Sequence, residues 1–300
     1  MEAVPFDDRD GWIWLDGRLI PWRDARLHVL THGLHYASAV FEGERAYRGH
    51  VFRLREHTER LIASGRILGF EIPFTADQID AACREVLAAN NLTDGYVRPI
   101  AWRGAEMLAV SAQQTRIHLA IAAWPWPSYF GATRQEGIRL GLAEWRRPAP
   151  ETAPTAAKAT GLYMIGTLAK HKAEAGGYSD ALMLGWRGQV AESTGANIFF
   201  VMNGEIHTPT PDCFLDGITR RSVISLARRR QMKVVVRVIE LSEIAGATEC
   251  FLAGTAAEVT AVREIAGRHY TPGAVTATLM KDYAALVAQH PEDAAKRLAA

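Results

Sequence analysis

The sequence is poor in cysteine and poorer in covalent or metal frameworks. Its three cysteines, Cys83, Cys213 and Cys250, are odd in number and far apart, with no CxxC pair. Neither a disulfide scaffold nor a zinc ribbon is indicated, and a reducing, cytoplasmic setting is the simpler reading. His32 and His35 lack a third ligand in sequence, and Asp8, Asp10 and Gly11 lack the closing Glu of a calcium loop, so no metal is expected. No apolar run approaches the roughly 18 residues that span a bilayer, and the acidic first ten residues lack a signal-peptide core. Net charge is only +1, from 34 basic and 33 acidic side chains. That balance argues against a nucleic-acid or membrane partner. The one basic cluster, Arg228, Arg229 and Arg230, reads as a solvated helix end. GxGxxG, P-loop, GxSxG and HExxH motifs are all absent. Without a glycine-rich strand–helix turn, an NAD-linked dehydrogenase is disfavoured.

What is present is an ordinary soluble composition, 48% hydrophobic and 22% charged over 300 residues. That length fits two domains or one large one. Strand-like and helix-like stretches alternate, which predicts an α/β or α+β class. Asp16 and Gly17 mark a hairpin between strands at 12–15 and 18–20, and Gly49 marks another. A helix is expected over 55–68, and the capping pair Thr75 and Gln78 starts a second one through about Ala89. Strands follow at 96–102 and 117–123. Aromatics, two prolines and a glycine at 124–133 read as a break in the pattern. The division expected is a smaller N-terminal α/β domain over 1–123, an interdomain connection over 124–134 and a larger C-terminal domain over 135–300. Further strands are expected at 138–145, 181–184, 189–191, 198–202, 205–208, 234–238 and 250–252, with helices over 162–175 and 218–230.

Lysine usage singles out one position. Six lysines stand against 28 arginines, and the first is Lys158. It follows a loop held extended by Pro148, Pro150 and Pro154, and no charged residue lies within five positions of it. A lysine among small apolar residues loses hydration, which favours the neutral amine needed for a Schiff base. Taken alone, the residue reads sooner as a solvated loop lysine than as a functional one.

Residues 192–220 add a specific pattern. Glu192 is followed by small Thr194, then Asn197, the pair Ile198 and Phe199, Thr208, and the run Leu215, Gly217, Ile218 and Arg220. This resembles the signature of the class IV pyridoxal-phosphate aminotransferases. His32 to Tyr36, Val40 to Gly43, Glu56 to Leu61, Tyr96 to Pro99 and Gly254 to Val259 extend the resemblance, most to the branched-chain-amino-acid aminotransferases. It implies fold type IV, two α/β (α+β) domains with the cofactor, pyridoxal 5'-phosphate (PLP), in the interdomain cleft. It also implies a homodimer or higher homo-oligomer acting on small amino acids and 2-oxo acids.

The resemblance implies roles residue by residue. Lys158 matches the Schiff-base lysine and proton shuttle. Glu192 matches the carboxylate facing the pyridine nitrogen, and Asn197 belongs to the same signature. Gly217, Ile218 and Thr219 open a helix suited to the cofactor phosphate, with Gly254 and Thr255 beside them. Arg60 matches a phosphate-pairing arginine for which bidentate geometry would be suitable; otherwise it reads as an exposed helix arginine. Tyr163 matches a donor to the cofactor ring oxygen. Tyr96 and the backbone of Thr255 and Ala256 match the α-carboxylate site, and Arg98 the site for a distal carboxylate. Phe41, Gly43, Trp126, Tyr129 and Tyr163 match the side-chain pocket, and Tyr36 and the loop at 107–110 match parts given by the other subunit. Each aromatic also reads as core packing.

Three positions depart from the family pattern. Leu108 lies in a loop that often reads Gly-Met-Gly, Ala37 stands where glycine is common, and Ala196 where glutamate or serine often sits. The resulting expectation is transfer of the amino group of L-branched-chain amino acids to 2-oxoglutarate in a ping-pong cycle. A D-amino-acid or (R)-selective amine aminotransferase, and less so an aminodeoxychorismate lyase, share the fold.

Overall fold

The computed structural model describes residues 4–126, 130, 131, 133–289, 294 and 298. The chain divides into two compact units, Met1–Trp126 with Ala157–Gly161, and Pro127–Ala156 with Leu162–Ala300. An uninterrupted C-terminal domain over 135–300 is therefore not what is seen. The segment carrying Lys158 packs with the first unit.

In the first unit the strands are β1 (Trp12–Leu15), β2 (Arg18–Pro21), β3 (Ala39–Phe41), β4 (Glu44–Tyr47), β5 (His50–Val51), β6 (Gly95–Arg103) and β7 (Ile117–Trp124). The helices are α1 (His32–Tyr36), α2 (Leu54–Ile67) and α3 (Ala76–Ala89). The antiparallel sheet runs β2-β1-β7-β6-β4-β5, with β3 also on β6. The β1–β2 turn places Asp16 at φ 47° and Gly17 at φ 101°, the left-handed pair a two-residue hairpin needs. Helix α3 starts at Thr75, whose hydroxyl accepts from the Gln78 N–H while the Gln78 side chain accepts from the Thr75 N–H. Leu61, Ile79 and Val86 of the two long helices form one core with Val40, Ala46, Val97 and Leu119 of the sheet. Strand alternation then sends Phe41, Arg45, Tyr96, Arg98 and Trp124 to the opposite face.

Glu44 is the anomaly of this core, because alternation puts it on the helix-facing side with Ala46. It is fully buried and neither carboxyl oxygen has a hydrogen-bond partner among the described residues. Burial, and next the charges of Glu42 and Asp80, push its carboxyl well above the ordinary range. A pKa raised on folding leaves stability intact below the unfolded value and removes it as pH rises above that value. Glu44→Leu is accordingly expected to stabilise the protein by about 1–3 kcal/mol at pH 7.5, a rise of several degrees in Tm, and by less at pH 4. Thermal melts at the two pH values test this. An equal gain at both would mean that ionisation is not what the site opposes.

The second unit contains α4 (Thr133–Glu136), β8 (Ile138–Leu142), α5 (Met164–Ala175), β9 (Asp180–Leu184), β10 (Val190–Ser193), β11 (Asn197–Met202) and β12 (Glu205–Pro209). It continues with α6 (Ile218–Arg229), β13 (Val234–Arg237), β14 (Glu249–Gly254), β15 (Glu258–Ile265), β16 (Arg268–His269) and α7 (Ala274–Val287). The sheet runs β10-β9-β8-β15-β14-β11-β12-β13, and a further pairing of β10 with β11 closes the first six strands into a ring. Leu140, Leu182, Ile198, Leu252 and Val262 from five of these strands belong to one core. The strand expected over 138–145 stops at Leu142. β15 and α7 carried no signal in the sequence reading. β15 is buried on both faces from Val259 to Val262, so no alternation shows, and the cap of α7 is remote in sequence: the Val275 and Thr276 N–H groups donate to the two Glu249 carboxyl oxygens at 3.2 and 2.8 Å. The arginine run ending α6 is exposed, though Arg230 forks onto the two Asp282 oxygens through Nε and Nη2, each at 2.8 Å. Among the described residues no helix is long and apolar enough to cross a membrane.

Candidate active site

Lys158 is fixed through its backbone. Its N–H donates to Ser64 Oγ at 3.0 Å, and its carbonyl accepts from the Phe41 N–H at 3.1 Å. Ala159 adds a bridge to Val40. The lysine is thereby tied to α2 on one side and β3 on the other. Its half-buried side chain places Nζ 4.8 Å from the centre of the Phe41 ring.

The Arg98 guanidinium also lies 4.8 Å from that ring centre, and its Nη2 is 3.4 Å from the Tyr96 hydroxyl. Tyr96 in turn packs at 4.9 Å on Trp126 and 5.4 Å on Trp124. Gly43 is required by this arrangement, because a Cβ there would stand 1.9 Å from the Tyr96 hydroxyl oxygen. Arg45, opposite Tyr96 in the β4–β6 register, is buried with Nε and Nη1 lacking hydrogen-bond partners among the described residues. The face thus combines an amine, two guanidinium groups, a phenol and an apolar aromatic wall. The sequence reading assigned Arg45 nothing; its period-two offset from core residue Ala46 was the available signal.

Arg60 is not an exposed helix arginine, since its side chain is only 18% accessible. Bidentate pairing exists, but to Glu42: Nε and Nη2 donate to its two oxygens at 2.6 and 2.8 Å. His57 Nδ1 meets Glu42 at 2.7 Å. Burial alone would raise the Glu42 carboxyl; Arg60 first and His57 second outweigh it and hold the group far below the usual range. Burial lowers the His57 pKa, so the ring is neutral and Nδ1 carries the donated proton.

In the second unit Asn197 is the hub. Its Nδ2 donates to Glu192 at 3.2 Å and to the Leu215 carbonyl at 3.0 Å, while its Oδ1 accepts from the Gly217 N–H at 3.2 Å. Asn197 therefore ties Glu192 to the start of α6. Gly217 leaves no room for a side chain: a Cβ would lie 2.3 Å from Asn197 Oδ1. Gly217, at the N-terminus of α6, brings no capping side chain of its own, and the first turn holds buried Ile218 and Thr219, a helix start suited to an anion. Arg147 Nη2 pairs with the other Glu192 oxygen at 3.0 Å, a partner the sequence reading missed. Arg147 is itself held by the carbonyls of Leu162 and Thr194, both at 3.2 Å.

Thr255 and Ala256 lie half-buried in the β14–β15 turn. Thr260 Oγ1 donates to the Ala257 carbonyl at 2.6 Å, and Arg134 pairs with Glu258, which sits at φ 52°. Gly254 is packed against Ala196, whose Cβ would be 2.9 Å from an added Cβ. Tyr163 immediately precedes α5 and is half-buried. Tyr36, in the first unit, is 46% exposed and stacked on His32 at 4.6 Å. His32 Nε2 meets the Ala109 carbonyl at 2.8 Å, which links α1 to the loop carrying exposed Leu108 and Val110. Tyr129 lies outside the described residues.

Residues 39–265 match the family model of the class IV amino-transferases. The chain belongs to this family. It is 42% identical to the branched-chain-amino-acid aminotransferase of Pseudomonas aeruginosa over 293 residues, 95% of each chain. Among solved structures, it is similar to the branched-chain aminotransferase of Thermoproteus uzoniensis crystallised with norvaline. That match has a TM-score of 0.88, 38% identity, and 92% of this chain and 94% of that one covered. The T.th. branched-chain amino acid aminotransferase, complexed with N-(5'-phosphopyridoxyl)-L-glutamate, has a TM-score of 0.89 at 38% identity, with 95% and 96% covered. As a class IV aminotransferase, the chain has a chemical use for an amine, an anion cradle and a buried carboxylate.

Proposed function

We propose that this aminotransferase moves the amino group of L-leucine, L-isoleucine or L-valine to 2-oxoglutarate, with PLP as cofactor and a second copy of the chain as partner. The observation that carries the reading is the shared Phe41 ring, with Lys158 Nζ and Arg98 each 4.8 Å from its centre. One face then offers an amine, an apolar wall for an alkyl side chain, and a cation for a second carboxylate. An enzyme that takes leucine and 2-oxoglutarate in turn needs all three.

The residues suit PLP through their donor sets. Gly217, Ile218 and Thr219 at the start of α6, with Arg60, would bind the phosphate. Thr255 adds a hydroxyl, Gly254 lets its turn pack close, and Tyr163 would donate to the ring oxygen. When bound, PLP supplies an aldehyde for the Schiff base and a ring that accepts electrons from the substrate carbon. Lys158 Nζ would take the Cα proton of the donor amino acid in the first half-reaction and deliver a proton to the Cα of the new amino acid in the second. Glu192, oriented by Arg147 and Asn197, holds a proton at the pyridine nitrogen. The Tyr96 hydroxyl, the backbone N–H groups of Thr255 and Ala256, and Arg45 orient the α-carboxylate. Phe41 and Trp126 exclude water from the side chain. Exposed Val29, Leu34, Tyr36, Leu108 and Val110 support burial against a second copy. The similarity to relatives named for branched-chain substrates supports the substrate class.

Stopped-flow measurement of the two half-reactions tests this reading, and Arg98→Leu sharpens it. Wild type should lose its visible absorption on mixing with L-leucine and regain it with 2-oxoglutarate. In Arg98→Leu the leucine half-reaction should persist. The 2-oxoglutarate half-reaction should fall by about tenfold or more, the loss of one charge-assisted hydrogen bond. A desolvated carboxylate without a partner is costly, whereas an isobutyl group does not need the guanidinium. A parallel fall in both would remove the dual-recognition role of Arg98.

A further inference from the structure

The Arg60 guanidinium is braced from behind by two buried residues, Glu42 and His57. Glu42 is fully buried and His57 is 1% exposed. Glu42 receives Nε and Nη2 of Arg60 at 2.6 and 2.8 Å and His57 Nδ1 at 2.7 Å. Its own backbone N–H donates to the Pro99 carbonyl at 2.8 Å, which fastens it to β6. His57 and Arg60 stand three positions apart on α2, one turn on the same side, so a single carboxylate can meet both.

We infer that Glu42 and His57 are positioning residues, which fix the plane of the Arg60 guanidinium in the orientation it presents to the cofactor phosphate. This rests on the reading that the cofactor is PLP. A bidentate pair alone can pivot as a unit about the carboxylate. The third contact, from His57, removes that freedom, and the Pro99 contact anchors the backbone beneath it. With Arg60 cationic, Glu42 anionic and His57 neutral, the trio carries no net charge. Arg60 then contributes directed N–H donors rather than excess positive charge. Two opposing effects follow for a variant lacking the Glu42 charge. Unmasking the arginine would tighten phosphate binding, and losing its orientation would weaken it. The geometry assigns the larger effect to orientation, because a guanidinium binds phosphate through a planar fork.

The test is a titration with PLP of the full chain freed of cofactor, read by absorbance and tryptophan fluorescence, with a melting curve for each variant. Glu42→Gln and His57→Leu should each raise the Kd about tenfold. His57→Asn, which keeps a donor near the Nδ1 position, should stay within about threefold of wild type. In an Arg60→Gln background, Glu42→Gln should change the Kd by less than about twofold, since a residue that acts through Arg60 has nothing left to position. An unchanged or lower Kd in Glu42→Gln, or equal effects with and without Arg60, would overturn the assignment. Should Glu42→Gln not fold, the comparison of His57→Leu with His57→Asn decides: equal losses overturn it. Wild type that fails to bind PLP overturns the cofactor reading itself, whereas binding with independent effects overturns the positioning role alone.

Discussion

Lys158→Ala should still bind PLP but leave it unlinked, with turnover reduced by at least about 10²–10⁴, the range for losing a positioned proton carrier. The reason is geometric. The lysine backbone is held by Ser64 on one side and Phe41 on the other, so the side chain has a fixed origin. The phosphate and ring contacts assigned to Arg60, the α6 first turn and Glu192 do not involve it, and cofactor affinity should fall less than rate. Borohydride reduction followed by mass analysis of the peptide containing residue 158 reads the link directly. A small added amine such as methylamine should restore part of the proton transfer. A variant with wild-type turnover and a reducible adduct still on the chain would remove Lys158 from the chemistry.

Glu192→Gln should bind cofactor and lose about 10²–10³ in kcat, the usual loss on deleting one charge-stabilising group. A neutral amide cannot hold a proton at the pyridine nitrogen. The substitution also leaves Arg147, which is 6% exposed, facing an amide in place of a carboxylate. Some stability should be lost through that unpaired cation. The two effects separate by measurement. A melting curve reports the Arg147 pair, and kcat at saturating cofactor reports the proton. Glu192→Gln with kcat within a few-fold of wild type would exclude the carboxylate from the reaction, whatever its effect on Tm.

Much of this was legible in the sequence where the signal is local. Thr75 and Gln78 marked the start of α3 because a capping box lies within four consecutive residues. Asp16 and Gly17 marked the first hairpin because few residues accept a positive φ. Lys158 stood out through a lack of charged neighbours. Asn197 and Gly217 were flagged by the spacing of the signature, but only the structure shows that they touch and that Asn197 also reaches Glu192. What stayed hidden was long-range pairing. Arg147 lies 45 positions before Glu192, and Glu42 lies in the link between β3 and β4 whereas His57 and Arg60 lie on α2. Their partners depend on sheet register and helix packing, which periodicity alone does not encode. A signal for Glu42 existed: an acid beside the apolar pair Val40 and Phe41 is rarely buried without a partner. Ala37 departs from the family glycine and the structure places it at φ 53°, a conformation that is unfavourable for alanine.

The central claim is amino transfer from an L-branched-chain amino acid to 2-oxoglutarate, and isotope tracing tests it most directly. The full chain with PLP is mixed with ¹⁵N-labelled L-leucine and 2-oxoglutarate, and the products are followed by mass spectrometry. The account predicts ¹⁵N-labelled glutamate and 4-methyl-2-oxopentanoate in equal amounts, with D-leucine and (R)-1-phenylethylamine giving little labelled product under the same conditions. Labelled glutamate formed from the D-enantiomer or the amine in preference to L-leucine, or none formed from L-leucine at all, would contradict it.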